Sequence, residues 1–435
     1  MFWKVFRKED YNWRMDIRKV IAHETSHFYK LSLIERKLIE SSFFHSLANS
    51  FLQIFINAFI FKMTAKMQAV ASFNLGIFIF IAFAFFLNGL LLRRINIITL
   101  YRLGALLKGV AGIIVIFLAP REYVHLIIAG GLYGMGTGFY WSNRNFLTLK
   151  LTQPKTRSYF SSLWWSIDTI ISIAVPVLIG WLLVVGRLTA YRLLMLVSFF
   201  IFFQVGHVMK KIEVNRVNIR DIVLKKITRR WLRMRFIHIA LGLLSGMNLF
   251  FPTLIVLKII GNEKSLGIIL SLCSLVTAIV IYQLGKYTKI RHRISIFYGG
   301  VGLTLFASLL LALFYSPFGV LMYLLIQAVA YLLIWTSIDP IAMDVTETES
   351  EGKEEYHYAY VFDRELFLNV GRVGTVGIFL FLGESISSSI SLRLTPIFIA
   401  ILLFLITYVF KSGIKQHVPV DILTSSETEK ETDVI

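Results

Sequence analysis

The sequence predicts an all-α polytopic membrane protein whose helices form two similar six-helix bundles. Three observations support this prediction. First, 56% of the 435 residues are hydrophobic and only 16% are charged, whereas a soluble domain contains about 25% charged residues. Second, apolar runs of about 20 residues, the length that crosses a bilayer as a helix, recur along the chain. Third, a basic segment from Met209 to Arg235 interrupts these runs near the middle of the chain.

About twelve apolar spans are predicted, six on each side of the basic segment. Each span can satisfy its own backbone polar groups within a bilayer only as a helix. The predicted spans cover residues 42–61, 69–92, 97–118, 122–148, 159–185, 190–208, 236–257, 265–285, 294–315, 318–343, 359–383 and 394–411. The predicted domains are an amphipathic N-terminal segment at 1–41, a first bundle at 42–208, a basic linker at 209–235, a second bundle at 236–411 and a disordered tail at 412–435.

The positive charges of the loops predict the orientation of the chain. Lys and Arg are enriched in cytoplasmic loops, and one set of alternate loops, which includes the whole basic linker, is clearly richer in them than the other set. We therefore predict a multi-pass protein of the cell membrane with both termini in the cytoplasm. The net charge of +19 indicates contact with anionic membrane lipids, and no nucleic-acid partner is expected.

The two halves resemble each other at a spacing of about 196 residues. The parallel pairs are the segments that begin at Gly89 and Gly285, the turns Phe117–Pro120 and Phe314–Pro317, and Trp141-Ser142 with Trp335-Thr336. Three matches in the same order, in equivalent loops and helix ends, indicate a duplicated six-helix unit.

Two six-helix halves joined by a long basic loop resemble the major facilitator superfamily. The fourth span contains Gly134-Met-Gly136-Thr-Gly138, which is similar to the GxGxG motif of that family. The fifth span contains Pro176 and Gly180, a loose relative of the family's Pro-Gly element. Glycines at this spacing are also typical of close helix packing.

The family's loop between spans two and three is degraded in this chain. Gly89 and Arg94 remain, but Arg93 replaces the aspartate and Asn96 replaces the second glycine, which puts the gating latch attributed to that aspartate in doubt. Over residues 42–411 the resemblance implies a secondary transporter that moves a small-molecule substrate by alternating access and has no enzymatic activity. We expect it to act as a monomer, without a cofactor, coupled to protons or another ion.

Four polar residues recur every four positions in the first span: His45, Asn49, Gln53 and Asn57. This spacing places them along one face of a helix. The resemblance implies that this helix lines the central cavity, so the four are predicted to bind substrate. The alternative is that they form hydrogen bonds between helices.

Asp168 lies about ten residues into the fifth span, roughly 15 Å from its cytoplasmic start. Ionisable groups at such depth are costly and mark ion pathways or fixed pairs. Asp168 is therefore predicted either to bind and release the coupling proton or to be a fixed partner of a cation such as Lys108.

The eleventh span is the most charged. Glu365, Asn369 and Arg372 share one helix face and predict an internal carboxylate–guanidinium pair, either structural or broken by substrate. Glu365 is the second candidate for proton coupling, while Asn369 and Arg372 are candidates for substrate binding. Asp363 and Arg364 are expected nearer the membrane interface.

Arg144 and Asp339 occupy corresponding places in the two repeats, near the inner ends of spans four and ten. They are predicted to pair across the halves as an inner gate, to which Arg94 of the degraded loop contributes.

The N-terminal segment contains the sequence HETSH, with His23, Glu24 and His27 at the spacing of a zinc-protease helix. A membrane-bound zinc metallopeptidase is therefore one alternative. The longer His-x-x-Gly-x-x-His form fails because Lys30 and Leu33 occupy those places, so we favour a solvated helix face and no metal site. A further alternative is a non-transporting sensor or assembly protein with the same fold. No GxxxxGK[ST] sequence occurs, which argues against ATP-driven transport within this chain.

Overall fold

The computed structural model describes residues 28, 31–117, 122–151, 154–212, 214, 219–287 and 292–414. Most of the predicted N-terminal segment, including HETSH, and the tail from residue 415 lie outside the described residues. The helices are α1 Leu33–Thr64, α2 Met67–Leu91, α3 Ile97–Phe117, α4 Tyr123–Leu151, α5 and α6 within Pro154–Val208, α7 Arg229–Ile259, α8 Glu263–Tyr287, α9 Arg293–Leu313, α10 Pro317–Glu349, α11 Glu354–Ser385 and α12 Ser388–Val409, followed by a 3-10 turn at Lys411–Gly413. Arg187, with φ 47° and ψ −134°, is the break between α5 and α6.

Ten segments of the described chain are long and apolar enough to cross a membrane. One of them, Leu163–Val208, contains the break at Arg187, so it holds both the fifth and the sixth predicted spans. Helix α4 is not among the ten. The predicted all-α polytopic architecture is confirmed.

The first helix of each half begins earlier than its apolar run. Ser32 caps α1: its hydroxyl accepts from the Glu35 N–H at 3.2 Å, and the Glu35 carboxylate accepts from the Ser32 N–H at 2.7 Å. This reciprocal capping box fixes the start of a helix independently of hydrophobicity. Thr228 caps α7 by accepting from the Trp231 N–H at 3.0 Å. Hydropathy located the spans, whereas capping determines where these helices begin.

Within the first half, the closest helix contact is between α2 and α4. A Cβ added at Gly130 would lie 2.0 Å from the Phe73 carbonyl oxygen, and one at Gly76 would lie 2.1 Å from the Ile127 carbonyl oxygen. No side chain fits at such distances, so glycine permits the two backbones to touch. The close packing expected for the glycines of the fourth span is confirmed. In the second half, α7 packs on α11 and α9 on α10.

The two halves, α1–α6 and α7–α12, meet where α5 packs on α8, α2 on α11 and α1 on α7. We call one end of the molecule the linker end, because α6 ends and α7 begins there. The opposite end, where α1 ends at Thr64 and α8 begins at Glu263, is the far end.

Candidate functional site

Lys108 lies in the middle of α3 and is enclosed by α1, α4 and α6, with 1% of its surface exposed. Its ammonium lies 2.7 Å from the Asn49 amide oxygen and 3.1 Å from His45 Nε2. The Tyr133 hydroxyl donates to the same amide oxygen at 3.1 Å. The rings of Tyr133 and Phe202 lie with their centroids 5.2 and 5.3 Å from the ammonium. Neutral acceptors and aromatic faces therefore surround this cation.

His45 is held in this cluster by stacking. Its ring lies 3.6 Å from the Tyr140 ring and nearly parallel to it, and Tyr140 contacts Tyr101 with centroids 4.9 Å apart. The Tyr101 hydroxyl lies 2.8 Å from the Ser41 hydroxyl, which donates to the Val205 carbonyl oxygen at 2.9 Å. The polar face of α1 is thus bonded to α3, α4 and α6.

Asp168 accepts a hydrogen bond from the Ser46 hydroxyl at 2.6 Å, and the positive charge that acts on it is that of Arg144. The Arg144 guanidinium lies 4.0 Å from the Trp164 ring centroid. Lys108 instead contacts His45 and Asn49, so the suggested pairing of Asp168 with Lys108 is not formed. Asp168 joins α5 to α1 within the first half.

The predicted pair between Arg144 and Asp339 is not formed in this structure. Asp339 pairs with Arg364 one helix away, and Arg144 lies against Trp164 in its own half. Asp339 and Arg144 thus each contact a residue of their own half. Arg94 is exposed. The gating roles of Arg144, Asp339 and Arg94 remain predictions.

The predicted carboxylate–guanidinium pair of α11 is confirmed. Arg372 contacts the Glu365 carboxylate at 3.3 Å and the Asn369 amide oxygen at 3.0 Å, and it donates to the Ser245 hydroxyl of α7 at 3.0 Å. Asp363 is buried within the protein at 4% exposure, and its position near the membrane interface stays a prediction. Asp363 pairs with Arg235, because α11 turns this side chain toward α7.

Asn57 belongs to a contact between helices. It accepts from the Asn74 amide at 2.9 Å and donates across the halves to the Leu249 carbonyl oxygen at 3.5 Å. For His45 and Asn57 the observed contacts are those of the alternative, hydrogen bonds between helices, and their substrate role remains a prediction. The side chain of Gln53 lies outside the described part. No group of three His, Cys, Asp or Glu residues suited to a metal occurs among the described residues, and His23, Glu24 and His27 lie outside them.

At the far end, Lys62 of α1 and Glu263 of α8 form an ion pair at 2.6 Å, with 10% of the Glu263 side chain exposed. The Tyr191 hydroxyl of α6 donates to the same carboxylate at 3.0 Å. Beside this pair α5 and α8 touch closely, since a Cβ at Gly267 would lie 2.1 Å from the Pro176 carbonyl oxygen. The sequence signal that points to this pair is an acidic residue, Glu263, at the start of an apolar span.

At the linker end, Tyr358 of α11 joins the halves. Its hydroxyl donates to the Phe85 carbonyl oxygen at 2.7 Å and accepts from the Asn88 amide at 3.2 Å. Asn88 also exchanges hydrogen bonds with Asn143 at 3.2 and 2.7 Å. A Cβ at Gly89 would lie 2.6 Å from the Tyr358 ring, so this glycine makes room for the tyrosine.

Residues 219–228 of the linker, which we call the strap, cross between the halves. Arg220 pairs with Glu355 at the start of α11 at 3.1 Å, and this bond raises the pKa of the Arg220 guanidinium. Arg93 donates to the Arg220 carbonyl oxygen at 3.0 Å. Ile222 is buried, and its side chain lies next to Gly89. The loop that lacks the family's aspartate is therefore tied to the second half through the strap.

Within the described part of the chain, these features define a helical membrane protein in which α1–α6 and α7–α12 each contain polar clusters and contact each other at both ends. The sequence model of the Major Facilitator Superfamily matches residues 39–353, more than half of the chain. The chain belongs to the Major Facilitator Superfamily: it is a multi-pass transmembrane transporter and not an enzyme.

The chain is also similar to individual proteins and solved structures. The chain is 26% identical over 362 residues to the Uncharacterized protein YqgE of Bacillus subtilis (strain 168), covering 81% of this chain and 83% of the relative. Among solved structures, it is similar to a bacterial homologue of the iron transporter ferroportin in an inward-facing state, with a TM-score of 0.63, 16% identity and coverage of 88% of this chain and 100% of the other. It is also similar to a POT family transporter in complex with 5-aminolevulinic acid, with a TM-score of 0.67, 11% identity and coverage of 88% and 96%. At these identities the solved structures support the fold alone.

Proposed function

We propose that this chain moves a small solute across the cell membrane by alternating access, with a proton as the coupling ion. The observation that carries the proposal is that separate groups join the halves at the two ends. Lys62 and Glu263 do so at the far end, and Tyr358 with Phe85 at the linker end. Breaking one set while keeping the other opens the space between the halves to one side only, which is what alternating access requires.

The proposed coupling residues are Asp168 and Glu365. Each carboxylate lies on a helix that contacts the other half, and each faces an arginine, Arg144 and Arg372 respectively. Protonation removes the negative charge and so weakens the contact to that arginine. Proton binding at either carboxylate would therefore change how its helix packs. The matched structures are of transporters of different solutes, so the shared fold does not define the solute.

We further propose that the linker end faces the cytoplasm, that both termini lie on that side and that the protein acts as a monomer. The support for the orientation is the excess of Lys and Arg at the linker end. A cysteine at Gly261, in the turn between α7 and α8, should react with a membrane-impermeant maleimide added to intact cells, after Cys273→Ser removes the native thiol. A cysteine at Lys226 should not react. The reverse pattern would contradict the orientation.

Transport is tested in proteoliposomes with an imposed pH gradient and a pH-sensitive dye inside. A panel of solutes is added one at a time, and a transported solute changes the internal pH only when the protein is present. Asp168→Asn or Glu365→Gln should abolish the dependence on the gradient while exchange of the solute continues. If both variants keep full gradient dependence, the coupling assignment is wrong. If no solute moves and the protein is folded, the transport proposal itself fails.

A further inference from the structure

Carboxylates in the interior of the described helices lie close to arginines, whereas one fully buried lysine, Lys108, has no carboxylate partner. Asp339 pairs with Arg364, Asp363 with Arg235 and Glu365 with Arg372, while Asp168 is influenced by the charge of Arg144. Lys108 belongs to none of the ion pairs that the described residues form. Within the described residues, the first half thus holds a buried Lys108 ammonium with which no carboxylate forms an ion pair.

Such a charge is costly in a membrane and is usually kept for function. Neutral acceptors reduce this cost without cancelling the charge. The ammonium has three N–H donors, and two of them are directed at His45 and Asn49. An anion brought to this position would gain a direct charge-assisted hydrogen bond in a region of low dielectric constant.

Asn49 is the member of the cluster that reaches the surface of the helices. His45 and Lys108 are fully enclosed, whereas Asn49 is partly exposed on α1. Its amide oxygen accepts from both Lys108 and the Tyr133 hydroxyl. If Asn49 rotates away, both donors are released together, and an ammonium and a phenol hydroxyl side by side match the two oxygens of a carboxylate or phosphate.

We propose that the transported solute is a small anion whose carboxylate or phosphate group binds Lys108 and Tyr133 in place of Asn49. This inference rests on the proposed transport function and specifies the substrate class. Carboxylate and phosphate share the required chemistry, and an anionic lipid headgroup carries the same chemistry from another source. The experiment therefore has to separate a free solute from a lipid.

Binding is measured by the thermal unfolding of the full chain in nanodiscs of phosphatidylcholine alone, which contain no anionic lipid. The probes are succinate and inorganic phosphate, with putrescine as the cationic and xylose as the neutral comparison. We expect one of the anions to raise the melting temperature in a saturable way, with the apparent affinity reduced at least tenfold in Lys108→Gln. Lys264→Gln, a matched change at a lysine that lies over Trp181, should bind as the wild type does.

Asn49→Asp provides the sharper test, because Lys108→Gln also removes the contacts of the lysine that support the fold. It places a carboxylate 2.7 Å from the ammonium, so the protein should fold at least as stably and lose anion binding. If Lys108 has only a structural role, Asn49→Asp should be stabilised and keep its anion affinity, and this result would overturn the proposal. It is likewise overturned if neither anion binds the wild type, if putrescine binds instead, or if stabilisation requires phosphatidylglycerol in the nanodisc. Anion binding without transport in proteoliposomes would refute the transport function and leave the anion site standing.

Discussion

Glu263 has a special place among the acidic residues because it joins three helices at once. Its carboxylate contacts Lys62 of α1 and the Tyr191 hydroxyl of α6, while Glu263 itself begins α8. The lysine and the tyrosine belong to the first half, so the carboxylate is the group that the second half contributes to the far end. Removing its charge should weaken the far-end contact without disturbing either bundle.

We predict that Glu263→Gln makes the far end open more often. Losing a half-exposed ion pair costs about 1 kcal/mol, which corresponds to about a fivefold change in the population of the open state. A cysteine at Leu249, whose carbonyl oxygen receives the Asn57 bond between the halves, reports this opening in a Cys273→Ser background. Its reaction with an impermeant maleimide from the far side should become several times faster. Lys62→Arg, which keeps the charge, is the control. An unchanged rate in Glu263→Gln would show that the ion pair does not hold this end closed.

At the scale of helices, the contact between α2 and α4 depends on glycine at positions where backbone carbonyl groups leave no space. A carbonyl oxygen cannot move aside as the end of a flexible side chain can. Other glycines of the same fold, such as Gly299 in α9, have open space around them. Glycine-to-alanine changes at crowded and at open positions of this chain can therefore be compared directly.

Gly130→Ala should destabilise the first half by about 1–3 kcal/mol, the usual cost of overpacking. The added Cβ would lie 2.0 Å from the Phe73 carbonyl oxygen, so α2 and α4 must separate. Gly299→Ala should leave stability unchanged or slightly higher, since alanine favours the helix more than glycine does. Thermal unfolding of the two purified variants measures the difference. Equal melting temperatures would contradict the close α2–α4 contact.

The contact between α5 and α8 is of the same kind, but it joins the two halves. Gly267→Ala should therefore leave each bundle folded while it keeps the far end apart. We expect a normal melting temperature within a few degrees and faster maleimide labelling of the Leu249 cysteine from the far side. Gly302→Ala, in open space on α9, is the matched control. A large loss of stability without faster labelling would mean that the glycine supports the fold rather than closure.

At the scale of the whole molecule, the linker is more than a tether. The strap is bonded to the α2–α3 loop by Arg93 and to α11 by the pair of Arg220 and Glu355. Ile222 is buried beside Gly89, which itself contacts Tyr358. The strap therefore lies across the same helices that Tyr358 joins. Opening of the linker end should break the contacts of the strap with these helices.

Arg220→Glu should release the strap, because it places two carboxylates opposite each other. The exposed Lys225 and Lys226 then become easier to cut with a protease that cleaves after lysine, roughly twofold to fivefold faster for a surface pair. The double variant Arg220→Glu with Glu355→Arg should restore the wild-type rate. If the double variant is cut as fast as the single one, the ion pair does not hold the strap.

The architecture was predictable from the sequence because apolar runs of membrane length have few other outcomes. The pair of Arg372 and Glu365 was predictable for a similar reason, since the periodicity of one helix brings the two together. Contacts between distant helices were not predictable in this way. Lys62 and Glu263, like Tyr358 and Phe85, are far apart in the sequence, and helix periodicity does not relate residues at such separations. The pairing of Arg144 with Asp339 was predicted from the similarity of the two halves, but in the structure both residues contact neighbours in their own half.

The contacts that join the halves at the far end and at the linker end also differ in chemistry. The far end is held by a charged pair in which 43% of the Lys62 side chain remains exposed, whereas the linker end is held mainly by a buried phenol bonded to a carbonyl oxygen. Mobile ions screen exposed charges over about 10 Å at 0.1 M ionic strength and over about 3 Å at 1 M, but they hardly affect a buried neutral hydrogen bond. With the far end facing outward, as proposed above, a saltier medium outside the cell would weaken the Lys62–Glu263 pair, whereas the exposed Arg220–Glu355 pair of the linker end would lie on the cytoplasmic side, away from that medium. The resting balance between outward-open and inward-open forms would then follow the salinity of the medium, before any solute arrives.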